Sequence, residues 1–296
     1  MAELERNEPG LPGVRRILQE WIVEAGDSLR KKRVSDVDIH DARKLLKKAR
    51  AALRLLRDGI GEIAYRRENI ALRDAARPLG VARDGKVLIA TLDDLVERYA
   101  PAARKLQLDE FRRVLRQEYV TARQAISRTL INEQRKALRD VDSRVPRWRL
   151  RGEEWQVIGG GLERIYRRGK QAMKVAARSR ADEDLHDWRK QVKYLWHQLQ
   201  ILEPAWPTLL HELVSQTHKL ADHLGDDHDL AVLREKISSH TGAFQNKDRD
   251  ALIAVLDRRR KQLQAKAFKL GARLFEEKPR RFSSRIGGYW RSWRAE

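Results

Sequence analysis

IHDARKLLKKARAALRLLRD, residues 39–58, decides how this chain folds. His40, Arg43, Lys47, Arg50, Arg54 and Arg57 recur at steps of three and four, which stacks them on one face of an α-helix. Ala42, Leu45, Leu46, Ala49, Ala52, Leu53 and Leu56 fall on the other side and suit burial. Like charges at these steps repel by roughly a few tenths of a kcal/mol per pair. A face built this way makes physical sense when a polyanion lies against it.

The opening of that helix returns as LHDWRKQVKYLWHQL at 185–199. His40, Asp41, Arg43, Lys44 and Lys47 match His186, Asp187, Arg189, Lys190 and Lys193 at an offset of 146 residues. Leu79-Gly80 matches Leu224-Gly225, and Asp84, Val87 and Leu88 match Asp229, Val232 and Leu233 at an offset of 145. A whole helical unit is therefore duplicated, with half-repeats at about 10–142 and about 150–277. SRVPRWRLRG, 143–152, reads as the linker, and 278–296 as a basic aromatic tail. The expected fold is all-α: two pseudo-symmetric four-helix bundles with a basic cleft or pore between them. Periodicity predicts one helix over 107–139 and separate helices over 207–224 and 226–240. Gly159, Gly160 and Gly161 should loosen the start of a helix at 153–178.

Composition narrows the function. The chain has 296 residues, 41% hydrophobic and 36% charged, which is too apolar for a disordered polycation and too charged for a membrane protein. A formal charge of +20 predicts an anionic partner. With no cysteine, thiolate metal sites, disulfides and a cysteine nucleophile are excluded. The acidic start MAELERNEPGLPG has no apolar signal core, so a cytoplasmic protein without a membrane partner is expected.

The histidines call for a separate reading. His40 and His186 match across the repeat, His197 follows Lys193 by one turn, and His218, His223 and His228 flank Gly225. Each imidazole can donate a hydrogen bond to a phosphate oxygen. His-Asp pairs and the cluster Asp226, Asp227, His228, Asp229 also suggest a metal-dependent helical phosphohydrolase. That reading is weaker, because lysines and arginines crowd these residues and Arg83 stands where His228 would repeat. No phosphate loop of the Walker type and no nucleophile elbow occurs. The expectation is a binding protein with no catalytic residue, metal or cofactor. The leading rival is RNA or DNA binding, with Trp148, Trp290 and Trp293 among arginines as stacking surfaces. A third reading is an adaptor whose basic surface docks an acidic protein.

IHDARKLLKKARAALRLLR, RDAARPLGVARDGKVL, LERIYRRGKQAMKVA, LHDWRKQVKYLWHQLQILEP and LADHLGDDHDLAVL, in this order, resemble the CHAD domain, the conserved-histidine α-helical domain. The resemblance runs from about Gly10 to about Phe275. It implies inorganic polyphosphate as the ligand, held in the basic cleft, and association with polyphosphate granules. It places binding positions at His40, Arg43, Lys44, Lys47, Arg50, Arg54, Arg73 and Arg83 in the first half. In the second half it places them at Arg164, Tyr166, Arg167, His186, Arg189, Lys190, Lys193 and His228. Arg57, His197 and His218 join this set from the helical spacing and the histidine grouping. Trp196 and Gln200 stand where Arg50 and Arg54 would repeat, so the second helix should bind fewer phosphates.

Overall fold

Ser35 starts the basic helix by closing a capping box. Its hydroxyl accepts from the Asp38 amide, and the Asp38 carboxylate accepts from the Ser35 amide at 2.8 Å. A computed structural model describes residues 3–99 and 105–296 of the chain, with residues 81–84 described in backbone alone. There α2 (Asp36–Leu55) buries Ala42, Leu45, Leu46, Ala49, Ala52 and Leu53 of the apolar stripe read from its spacing, with Ile39 before them and Leu56 just past the helix. This stripe packs on α1 (Gly10–Ser28), which offers Val14, Ile17, Leu18, Trp21, Ile22 and Ala25. A single turn, α3 (Arg57–Ile60), leads to Gly61, whose φ of +81° is the left-handed conformation that glycine adopts without strain.

The first half continues with α4 (Glu62–Ala76) and α5 (Gly80–Arg98), separated at Pro78. The helix expected over 107–139 is two helices, α6 (Asp109–Gln124) and α7 (Arg128–Arg144). Ser127 interrupts it: its hydroxyl accepts from the Leu130 amide at 3.1 Å and caps α7, while Ile126 drops into the core. Glu68 is fully buried on α4 and accepts two hydrogen bonds from Arg144, which ties α4 to α7.

The second half contains α8 (Glu154–Ser179), α9 (Asp182–Leu202), α10 (Pro207–Ser239), α11 (Asn246–Leu274) and α12 (Pro279–Ala295). The two helices expected at 207–240 are one. In the first half Pro78 breaks the chain just before Leu79-Gly80; at the matching place before Leu224-Gly225 stands His223, and α10 runs on. The three glycines do not loosen α8 but lie inside it, and Gly161 lets α8 approach α2. A Cβ on Gly161 would sit 2.6 Å from the Arg54 carbonyl oxygen and the Leu55 Cα. The 143–152 connection is anchored: Val145 and Trp148 are buried, and the Arg151 amide donates to the Gly59 carbonyl at 3.0 Å. The tail forms α12, which buries Phe282, Ile286 and Trp290 and donates from the Ser283 hydroxyl to the Gly159 carbonyl.

The buried side chains do not sort by sequence half. One large core draws on α1, α2, α4, α7, α8, α9, the first part of α10, the end of α11 and α12. A smaller one gathers Leu88, Leu92, Phe111, Leu115, Leu233, Ile237, Leu252 and Leu256 from α5, α6, the far part of α10 and the near part of α11. The two basic helices, α2 and α9, pack on each other inside the larger core, where Gln198 donates to the Ala51 carbonyl at 3.3 Å. Among the described residues there is no β-strand, and no helix is long and apolar enough to cross a membrane.

Candidate anion-binding site

Where α2 and α9 diverge at their surface, they leave a cleft of about 350 Å³. Arg43, Lys47 and Arg50 of α2 form one wall, and His186, Arg189, Lys190, Lys193, Tyr194 and His197 of α9 face them. Val87 and Leu88 of α5 and His228, Asp229 and Val232 of α10 complete it. The lining residues of α9 recur at steps of three and four, and the eleven rises from His186 to His197 span about 16 Å.

The repeated Leu-Gly pair has a structural purpose here. A methyl group on Gly80 would collide with the Arg43 guanidinium, which donates to the Ala76 carbonyl at 3.2 Å. A Cβ on Gly225 would lie 3.6 Å from Arg189 Nε. Only in the first half does the glycine make room for the arginine of the basic helix; at Gly225 the contact would be an ordinary one. Arg50 is steadied from α4, donating to Asn69 Oδ1 at 3.2 Å. On the far side of Arg43, Lys47 and Arg50 lies a second hollow of about 360 Å³, where Arg73 and Arg77 of the α4 end add two more cations.

A family model for the CHAD domain matches residues 14–238, three quarters of the chain. The chain belongs to the CHAD domain family. No curated protein matches it.

In this CHAD domain the histidines divide by environment. His186 and His228, on facing helices, bring their rings to 4.4 Å. Burial first, and then the neighbouring cations, hold both near pKa 4, so both are neutral at pH 7. His197 is 3% exposed and bonded to Gln200, and burial pushes it to about 3. His218 stacks on Trp196 at 4.0 Å beside Asp222 and does not line the cleft. His40 is exposed and lines a separate hollow with Asp36, Val37 and Lys86. The matched pair His40 and His186 therefore does not meet across the cleft. The first turn of α2 leans toward α5, so only its later turns face α9.

The remaining sequence-derived positions scatter. Arg54 is buried; its guanidinium lies 3.7 Å from the Tyr194 ring centre and donates to the Arg50 carbonyl. It backs the cleft instead of lining it, and burial lowers its pKa. Arg57 pairs with Glu62 over the Tyr65 ring, and Arg164 forks onto Asp58. Arg167 pairs with Glu163 at the surface. Tyr166 belongs to the core: its hydroxyl donates to the Leu274 carbonyl at 2.9 Å and its ring stacks on Phe282. Lys44 is exposed outside both hollows, Arg73 pairs with Asp74, and the Arg83 side chain lies outside the described residues. Trp148 and Trp290 are buried, and Trp293 packs edge-on against Trp290. Among the described residues no three His, Asp or Glu side chains converge as metal ligands. The spacing argument missed Tyr194 and Arg77, although each follows a chosen cation, Lys190 and Arg73, by one helical turn.

Proposed function

We propose that this CHAD domain is a binding module for inorganic polyphosphate, which lies in the cleft between α2 and α9. One observation carries the reading: Arg43, Lys47 and Arg50 face Arg189, Lys190 and Lys193 across a single cleft where, among the described residues, Asp229 is the only lining carboxylate. Low-dielectric walls focus the field of these cations on an anion between them. Arginine forks suit pairs of phosphate oxygens, and the lysines add point charge. A polymer with one charge per repeat and no bases matches a lining whose one Phe, Tyr or Trp among the described residues is Tyr194, which Arg54 already covers on one face. Membership of the family, which the resemblance links to polyphosphate, supports the same ligand. Granule association in the cytoplasm is part of this proposal.

Nucleic acid is the competing polyanion, but the tryptophans that would stack its bases are packed in the core or against each other. A titration of labelled polyphosphate across salt concentrations tests the reading. Each neutralised phosphate contributes about 0.7 to the slope of log affinity against log salt, by analogy with single-stranded nucleic acid. Arg50→Gln with Lys193→Gln should lower that slope by about 1.4. Arg258→Gln with Arg281→Gln, on exposed positions away from the cleft, should leave it nearly intact. Equal losses from both pairs would mean generic charge attraction and would end the cleft proposal. RNA displacing polyphosphate at equal phosphate concentration would favour the nucleic-acid reading.

A further inference from the structure

The two hollows beside the cleft differ in sign. The one past Arg43, Lys47 and Arg50 adds Arg77 and Arg73, the latter paired with Asp74, and among the described residues has no carboxylate in its lining. The other, about 750 Å³, shares His186, His228 and Val232 with the cleft and is lined by Asp182, Glu183, Asp187 and Glu235. Its single cation among the described residues, Arg234, is bound to Asp257 at 2.9 Å. Asp182 is paired with Arg260 and Asp187 with Lys190, so Glu183 and Glu235 contribute most of its field. The touching His186 and His228 rings stand at the boundary between the cationic cleft and this acidic hollow.

An anionic chain moving along the cleft thus has a cationic exit on one side and carboxylates on the other. Like charges brought together cost several kcal/mol. An internal stretch of polymer must leave the cleft in both directions, whereas a chain end needs only one exit. We propose that the cleft takes polyphosphate by its end, with the terminal phosphate stopped at His186 and His228 and the chain leaving past Arg50 toward Arg73 and Arg77. The terminal group differs chemically from internal ones: it has a further free oxygen and, like a phosphate monoester, a second ionisation near pH 6. Imidazole N–H groups at the boundary can donate to those oxygens. This inference rests on the polyphosphate reading and adds a ligand class to it, linear chains with a free end.

Stoichiometry against chain length is the test, measured by calorimetry at raised salt with size-fractionated linear polyphosphates. End capture predicts saturation at two proteins per chain, whatever its length. Chains capped at both ends as alkyl phosphoramidates, which lack the second ionisation, should bind about tenfold more weakly. Glu183 and Glu235 are exposed, so Glu183→Gln with Glu235→Gln should fold normally and open the acidic side. In that variant stoichiometry should rise with length and the cap should matter little. Native stoichiometry proportional to length, or equal affinity for capped and free chains, overturns end capture while leaving polyphosphate binding intact. Capped chains that bind weakly to the native protein and the variant alike also overturn it, because the cap is then rejected for its bulk. No binding of any chain overturns both proposals.

Discussion

His197 shows what one residue's surroundings do to its chemistry. Its sequence position, one turn past Lys193, suggested a phosphate donor, but the ring is buried between α9 and its neighbours and bonded to Gln200. Burial, reinforced by Lys48, Lys193 and Lys47, moves its pKa from the ordinary 6.5 to about 3. The unfolded chain therefore binds an extra proton throughout that window. The stability tied to neutral His197 is complete above pH 6.5 and drains away as pH falls toward 3. Between pH 7.5 and pH 5 this one group should cost about 2 kcal/mol of folding stability. Urea midpoints at the two pH values check this: His197→Gln should lose that much less than the native protein, and equal losses would refute it. Spacing on α2 and the repeat on α9 picked out Arg43, Lys47, Arg50, Arg189, Lys190 and Lys193, all of which line the cleft. Spacing could not separate Arg54 from Arg50, because both lie on the same face of α2. Tyr194, on the neighbouring helix, is what covers Arg54.

At the level of elements, approach distance outranks propensity. Three consecutive glycines lower helix propensity, yet α8 begins before them and runs through them. Gly161 is set by α2, whose backbone leaves no room for a methyl group, whereas a Cβ on Gly160 would meet only the Asp58 carboxylate at 3.3 Å. Gly161→Ala should therefore destabilise the protein by about 2 kcal/mol, despite the gain in helix propensity. Gly160→Ala should be neutral or stabilising by up to about 1 kcal/mol. Thermal melts of the two variants check the contrast, and a stable Gly161→Ala would show that α8 and α2 are not held this closely. Similar logic explains the helix boundaries that periodicity missed. The apolar pattern runs through Ser127, but a side-chain cap starts a new helix there. At Leu224-Gly225 a turn signal was present without the proline that makes it a break.

Across the whole molecule, the duplication visible in the sequence does not become two separate cores. The larger core interleaves both halves, and the smaller one holds α5, α6, the far part of α10 and the near part of α11. A small cluster with few buried apolar groups opens more readily than a large one. Amides of α6 should exchange with deuterium well before those of α2 and α9; equal protection would mean that the two clusters unfold as one unit. The sequence by itself determined the helical class, the repeat and the cationic faces, because helical spacing, charge and glycine placement are local properties written residue by residue. The tertiary structure alone decided which cations share a cleft, that His186 meets His228 instead of His40, and that one side of the cleft is acidic. Those features depend on which helices touch and how closely, and that is settled by burial and backbone approach between segments far apart in the chain.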